Sequence, residues 1–230
     1  MQYAQSWEDV HSRSEWGQWP DEAVIRFIKG QLPRELGQSL SGLSALDLGC
    51  GAGANLRLFA EEKFRIAGID ISRSAISKAR QSLDAWSPGW MPFGAVPDGA
   101  VIVGSVGNLP WPKESFDIIV DCECIYCLDE EAASNAYREA YRVAASNARL
   151  LVRTFEATCY LGSSAHQISR NFFQATDGPM AGLPPTRVST REDLAALMAP
   201  WTVTSMQVAS RTLNGGPQHI SEIVAVGIKA

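Results

Sequence analysis

The 230-residue sequence lacks the features that would place it in a membrane or on nucleic acid. It has no run of about 18 apolar residues, so no membrane-spanning helix is predicted. The formal net charge is −5, and the sequence has no cluster of lysines and arginines. Such a chain has no positively charged surface that would attract a phosphate backbone. We therefore predict no nucleic-acid and no membrane partner.

The N-terminus also lacks the basic and then apolar layout of a secretion signal. Five cysteines are an odd number, and three of them, Cys122, Cys124 and Cys127, lie close together. Reduced thiols fit a cytoplasmic protein better than a disulfide framework does. Since strand residues alternate between faces, these thiols are not expected to converge on one ion, and no metal is predicted; a zinc site is the weaker alternative.

Apolar runs of strand length alternate with helical segments, which is typical of a parallel sheet covered by helices. Strands are predicted at 44–49, 64–70, 100–104, 116–122 and 148–155, and helices at 54–62, 72–83, about 130–145 and 189–200. A further short helix is predicted to follow Pro20 and to end at Gly30. The last 30 residues read as two strands joined by a turn, which predicts an antiparallel hairpin at a sheet edge.

The predicted fold class is α/β: a doubly wound, mostly parallel seven-stranded sheet with helices on both faces and an antiparallel C-terminal hairpin. One domain spans residues 1–230. Within it we expect a helical lid segment over 1–40, a cofactor-binding core over 41–155, and a substrate-side segment with the closing hairpin over 156–230.

The stretch 85–99, AWSPGWMPFGAVPDG, interrupts this alternation with prolines, glycines and tryptophans. It is too long and irregular for a plain connection between a helix and a strand. Loops of this length are often lids or binding loops, and the alternative is a variable surface excursion. The sequence favours neither.

The loop after the first strand, LDLGCGAGAN, satisfies two fingerprints. With Gly49, Gly51 and Ala54, followed by Asp70 at the end of the second strand, it fits the dinucleotide pattern G-x-G-x-x-A. Three further features point elsewhere. Gly53 adds a third glycine to G-C-G-A-G, and Asp47 lies two residues before the first glycine. Downstream, LPWPKESFDIIVDC leads from a loop directly into the fourth strand.

Taken together, these motifs resemble the class I S-adenosylmethionine-dependent methyltransferases, over roughly residues 45–155. The resemblance implies a Rossmann-like methyltransferase fold with S-adenosylmethionine as cofactor. It implies that glycines without Cβ atoms let the methionine part approach the backbone, and that Asp70 accepts hydrogen bonds from both ribose hydroxyls. The structural alternative for Asp70 is an N-cap of the next helix. Ser105 stands where the family often has an acid near the adenine.

The residues predicted to bind the cofactor lie in the glycine loop, after the second, third and fourth strands, and in the N-terminal segment. They are Asp47, Gly49, Cys50, Gly51, Gly53, Asn55, Asp70, Ile71, Ser105, Val106, Asp121, Cys122 and Trp16. The residues predicted to bind the substrate are Tyr126, Trp19 and Tyr160. For Cys122, a small buried residue is the competing interpretation.

Methyl transfer from a sulfonium is an in-line displacement, so the protein must mainly align the two reactants and exclude water. A base is needed only for an acceptor that is protonated at neutral pH. The candidates are His166, in a region expected to line the acceptor pocket, His11, and Glu123 at the end of the fourth strand. Histidine is the usual base near neutral pH.

The sequence thus predicts methyl transfer from S-adenosylmethionine to an oxygen or nitrogen of a small organic acceptor. By analogy alone, the setting would be bacterial secondary metabolism or surface-sugar modification. Two alternatives stay open: an NAD-dependent oxidoreductase, and a noncatalytic nucleoside-binding module. A monomer or a homodimer is expected.

Overall fold

A mostly parallel sheet forms the centre of the molecule in a computed structural model that describes residues 3–14, 17–94, 99–216 and 218–230. Its strands are β1 Ser44–Leu48, β2 Arg65–Asp70, β3 Met91–Pro92, β4 Val101–Val103, β5 Phe116–Cys122, β6 Ala144–Glu156, β7 His166–Ser169, β8 Phe172–Gln174, β9 Thr186–Ser189, β10 Thr202–Thr212 and β11 His219–Ile228.

Seven of these strands form the predicted sheet, in the order β4-β2-β1-β5-β6-β11-β10. The first five run parallel, and β11 pairs antiparallel with both β6 and β10. The predicted α/β class and the antiparallel closing hairpin are therefore confirmed. Within the described part of the chain, β10 pairs with β11 alone, as expected for a hairpin at the sheet edge.

Four short strands were not predicted. β3 pairs with the amino end of β2, and β9, β8 and β7 extend the sheet from the carboxyl end of β6. Each is four residues long or less. Such runs are too short to show the alternation of apolar and polar residues by which a strand is recognised in a sequence.

Helices cover both faces of the sheet. They are α1 Ala4–Arg13, α2 Glu22–Ile25, α3 Leu32–Leu36, α4 Ala54–Glu61, α5 Arg73–Trp86, α6 Glu130–Val143 and α7 Arg191–Leu197; a π-helical stretch, Arg26–Gln31, joins α2 to α3, and short 3-10 turns form at Ile125–Cys127 and Gly178–Met180. Among the described residues, no helix is long and apolar enough to cross a membrane.

The prediction that the helix after Pro20 ends at Gly30 is wrong. The helical path continues through the π-helical stretch to Leu36 and ends at Gly37, whose φ of 61° is the left-handed geometry of a C-cap. Buried Phe27, Ile28 and Leu32 also carry the apolar face past Gly30. A glycine ends a helix where its backbone turns left-handed, and Gly30 does not.

The stretch 85–99 runs away from the carboxyl edge of the sheet. In β3, Met91 and Pro92 pair with Arg65 and Ile66, at the amino end of β2. Residues 95–98 lie outside the described residues. For residues 85–94, the structure favours a surface excursion and not a lid, because ligands of such sheets bind at the opposite, carboxyl edge.

Candidate active site

A cavity of about 470 Å³ lies at the carboxyl edge of the sheet. Its floor is formed by the loops that follow β1, β2, β4 and β5, and α1 covers part of it with Tyr3, Trp7 and His11. Ligands of open α/β sheets bind at this edge, and the volume suits a small molecule or cofactor.

The glycine loop after β1 needs glycine for two different close approaches. Gly49 has a φ of 66°, and a Cβ there would lie 2.5 Å from the Cβ of Cys124. Gly53 has a φ of 88°, and a Cβ there would lie 3.0 Å from the Cα of Ala79 in α5. Side chains at these positions would therefore push the loop off the end of β5 or off α5. Of the two, Gly49 lines the cavity and Gly53 does not.

Asp70 at the end of β2 is 7% exposed and faces the cavity. Its Oδ2 accepts the Gly51 N–H at 2.9 Å, and its Oδ1 accepts the Ser72 N–H at 2.8 Å. The N-cap of α5 is Ser72, whose hydroxyl accepts the Ala75 N–H. Asp70 therefore does not cap that helix, and each of its oxygens keeps a second lone pair for a ligand.

Two buried aspartates lie behind the cavity wall rather than on it. Burial raises the pKa of Asp47 to about 8, although the nearby Asn55 amide opposes the rise, and neither carboxylate oxygen has a partner of hydrogen-bond geometry among the described residues. Burial raises the pKa of Asp121 to about 6. Three hydrogen bonds hold Asp121: it accepts the N–H groups of Cys124 and Ile125 and the hydroxyl of Tyr137.

Asp121 was predicted to border the cofactor, but it does not line the cavity, and its hydrogen bonds hold the turn after β5. Its neighbour Cys122 does line the cavity. Because burial raises the pKa of Cys122 and Cys124 well above the usual range, both are neutral thiols. Among the described residues, no group of three or more histidines, cysteines or acids could hold a metal ion.

The loop after β4 forms the far end of the cavity. Ser105 and Val106 both line it, with Ile71 nearby, as predicted. The Ser105 hydroxyl accepts the Gly107 N–H at 3.2 Å, and the Asn135 amide donates to the Gly107 carbonyl at 2.8 Å. Asn135, on α6, also lines the cavity. Sequence analysis missed it, because nothing local marks one polar residue in the middle of a helix as a loop support.

Helix α1 is tied to the start of α5 by one carboxylate. Glu8 accepts the hydroxyl of Ser72 at 2.7 Å and both the N–H and the hydroxyl of Ser74. These bonds lower the pKa of Glu8 to about 2. They hold His11 beside Gly51 and Asp70, where its Nδ1 has no partner among the described residues and burial lowers the pKa of the ring.

The opposite end of the cavity is charged. Arg153, on β6, lies 2.9 Å from Glu123 Oε1, 3.3 Å from Asp21 Oδ2 and 2.6 Å from Glu222 Oε1. Glu123 follows β5 with a φ of 56°, and it lines the cavity together with Arg153 and Asp21. Burial raises the pKa of Glu123 to about 7; Arg153 opposes this rise, and Glu222 and Asp21 add to it. Arg153 and Asp21 were not predicted.

The remaining predicted residues divide into two groups. The first group lines the cavity and consists of Cys50, Asn55, Tyr126 and Trp19. Trp19 lines it although its side chain is 74% exposed, and the Arg57 guanidinium lies 5.3 Å from its ring centroid. His166 and Tyr160 do not line it. The prediction that the segment of His166 lines the pocket is wrong for that residue, because β7 carries it outward, exposed to solvent. Trp16 lies outside the described residues.

Residues 45–147 match the methyltransferase domain family. This match decides between the two fingerprints of the glycine loop. The chain therefore carries a methyltransferase domain of the class I type, which uses S-adenosylmethionine as its cofactor.

A curated relative, the malonyl-[acyl-carrier protein] O-methyltransferase of Serratia marcescens, is 24% identical over 90% of this methyltransferase and 76% of its own length. Among solved structures, a methyltransferase from Methanosarcina mazei superposes with a TM-score of 0.67 at 23% identity, covering 86% of this chain and 97% of the other. The 1,6-didemethyltoxoflavin-N1-methyltransferase of Burkholderia thailandensis has a TM-score of 0.68 at 19% identity, covering 100% and 86%. These structural likenesses show the fold.

The residues of the cavity fit the cofactor. S-adenosylmethionine carries a sulfonium and an ammonium, and the unpartnered carboxylate of Asp47 lies directly behind the glycine loop. Asp70 offers acceptors to a pair of hydroxyls, and Gly49 and Gly51 present backbone without side chains to the same cavity.

Proposed function

We propose that this methyltransferase transfers the methyl group of S-adenosylmethionine to an oxygen or nitrogen of a small organic acceptor by in-line displacement. The observation that supports it is the continuity of one cavity from Asp70 past the glycine loop to Glu123 and Arg153. A cofactor at one end and an acceptor at the other would then share one space. The named relatives, an O- and an N-methyltransferase, act on these two atom types.

The cofactor supplies an electrophilic methyl group, so the chain itself has three tasks. Asp70 would hold the ribose, the backbone of the Gly49–Gly51 turn would hold the methionine part, and Ser105 with Val106 would border the adenine. Trp7, Trp19 and Tyr126 give the cavity an apolar surface that orients an organic acceptor and excludes water. Glu123 is the group best placed to take a proton from it, because it lines the cavity and its pKa lies near neutrality.

His11 is the second candidate base. It also lines the cavity, but it packs against Gly51 on the side of Asp70, the end assigned to the cofactor. His166 is exposed outside the cavity, so we do not propose it as the base that takes a proton from the acceptor. A cytoplasmic location, a monomeric or homodimeric state, a role in bacterial secondary metabolism and the absence of a nucleic-acid partner stay predictions.

The test is methyl transfer from tritium-labelled S-adenosylmethionine to pools of small alcohols, phenols, carboxylic acids, amines and nitrogen heterocycles, with products identified by mass. We expect one pool to consume cofactor at least tenfold faster than the protein alone, with the methyl group on oxygen or nitrogen. Tight binding of S-adenosylhomocysteine with no methylated product from any pool would contradict the proposal and favour the noncatalytic nucleoside-binding module.

A further inference from the structure

The acceptor end of the cavity can be located from the order of the strands. Asp70 lies on β2, the glycine loop follows β1, and Glu123 and Arg153 lie at β5 and β6. Of the strands whose ends line the cavity, β5 and β6 are therefore the farthest from Asp70. Since the proposed cofactor site occupies the edges of β2 and β1, it leaves the space at Glu123 and Arg153 for the acceptor.

This wall has no positive charge to offer an anionic acceptor. Arg153 is the only lysine or arginine among the described residues that line the cavity. Its guanidinium already contacts three carboxylates, those of Asp21, Glu123 and Glu222. Glu222 is buried and also pairs with Arg211 at 2.9 Å. A carboxylate or phosphate on the acceptor would have to displace one of these ion pairs and would face the remaining acids.

The same wall is suited to a cation. Asp21 and Glu123 both line the cavity, and the aromatic rings of Trp7, Trp19 and Tyr126 face the same space. Aromatic faces attract ammonium groups as well as apolar skeletons. Trp19 already has a guanidinium over its ring, that of Arg57. Negative charge and aromatic surface thus line the same cavity, and the ring of Tyr126 lies near Glu123.

We propose, on the basis of the proposed methyltransferase function, that the acceptor is an amine, which binds as its ammonium form at Asp21 and Glu123 and gives one proton to Glu123. The neutral nitrogen then uses its lone pair to form the nitrogen–methyl bond while the methyl–sulfur bond breaks. The products are an N-methylammonium ion, S-adenosylhomocysteine and protonated Glu123, which releases its proton to solvent. Charge and atoms balance without a further reactant.

The backbone at Glu123 supports this role. A φ of 56° is unusual for a glutamate, and the Glu123 N–H is held by the Arg153 carbonyl at 2.9 Å. The chain therefore accepts a strained residue at the point where the carboxylate faces the cavity. Glu114 has almost the same φ, 59°, but it is exposed and does not line the cavity, so it provides a matched control.

The test uses the full chain, labelled S-adenosylmethionine, and sets of acceptors in which each amine is matched by the alcohol and the carboxylic acid of the same carbon skeleton, across aryl-alkyl, alkyl and heterocyclic skeletons. We expect at least one amine to be methylated tenfold faster than both of its partners. Faster methylation of an alcohol or acid, or of no amine at all, would overturn the proposal.

The variants test Glu123 itself. Glu123→Gln should lower the rate with the best amine about 100-fold at pH 7, within the usual range for a general base, and Glu123→Asp should recover part of it. The wild-type rate should rise with pH through about 7, whereas that of Glu123→Gln should rise only near the pKa of the amine. Glu114→Gln should change neither. An unchanged rate in Glu123→Gln would refute the proton transfer.

Binding of S-adenosylhomocysteine separates the two proposals. If the wild type does not bind it, the methyltransferase function itself fails. If the wild type binds it and Glu123→Gln binds it within twofold, only the acceptor class is under test. A tenfold loss of this affinity in Glu123→Gln would place Glu123 on the cofactor and overturn the acceptor assignment.

Discussion

Asp47 carries an ionisable group where water cannot solvate it. It is 1% exposed near the carboxyl end of β1, and neither oxygen has a hydrogen-bond partner among the described residues. Burying an unpaired charge is costly, and the chain lowers this cost by keeping the proton: the pKa rises to about 8. A cation bound in front of the glycine loop would favour the ionised form, so the cost is compensated only when the cofactor is present.

Asp47→Asn should therefore stabilise the protein without cofactor at alkaline pH. The native state binds a proton that the unfolded state has lost between about pH 4 and pH 8, so this residue makes stability fall as pH rises through that window. At pH 8.5 we expect a gain on the order of 5 kcal/mol, because each unit of pKa shift corresponds to about 1.4 kcal/mol, or about 2–4 °C per kcal/mol in thermal unfolding. At pH 5 the gain should be small.

The control is Asp84→Asn, which removes a carboxylate that accepts the Trp90 indole N–H outside the cavity. It should show no gain that grows with pH. A melting temperature for Asp47→Asn below that of the wild type at pH 8.5 would contradict the account of an unpaired buried charge.

The glycine loop also sets the distance between helices α4 and α5. Gly53 is the N-cap of α4, and a Cβ there would approach the Cα and Cβ of Ala79 to 3.0 and 3.1 Å. Backbone atoms of a packed helix cannot move aside cheaply. The third glycine is thus required for packing as well as for the turn.

Gly53→Ala should lose more stability than Gly42→Ala. The two glycines have φ values of 88° and 85°, but Gly42 has no atom within 4 Å of its would-be Cβ. Gly42→Ala therefore measures the cost of the backbone conformation alone, about 1 kcal/mol. Gly53→Ala should cost about 1–3 kcal/mol more, because it also overpacks. Urea unfolding measures both, and equal losses would contradict the packing argument.

Most of the main strands and helices could be predicted because each is a long run with its own period, and β4, with three residues, could be predicted because it lies in the apolar run 100–104. The five parallel strands are almost continuously apolar, and Ser72 caps α5 as expected. Short or context-dependent elements could not be predicted. The strands β7 to β9 depend on pairing partners distant in sequence, and only the backbone geometry decides that Gly37 rather than Gly30 ends the helix.

In the molecule as a whole, the residues at the cofactor end of the site could be predicted from the sequence, whereas most of those at the acceptor end could not. The glycine loop, Asp70 and Ser105 follow strands of one parallel sheet, whose carboxyl ends must meet at one edge. Asp21 and Arg153 are far apart in sequence, and they meet Glu123 only because α2 starts over the end of β6. His166 was misplaced for the same reason, since the strand that carries it outward was not foreseen.

We propose that this cavity binds S-adenosylmethionine through Asp70, and the first test of this claim is calorimetric titration with S-adenosylhomocysteine and, separately, NAD. We expect the homocysteine compound to bind at micromolar concentration and NAD not to bind. Asp70→Asn should weaken binding about 10- to 100-fold, since hydrogen bonds to a charged group are lost, whereas Asp9→Asn, on α1 outside the cavity, should not. Tighter binding of NAD, or full affinity in a folded Asp70→Asn variant, would contradict the claim.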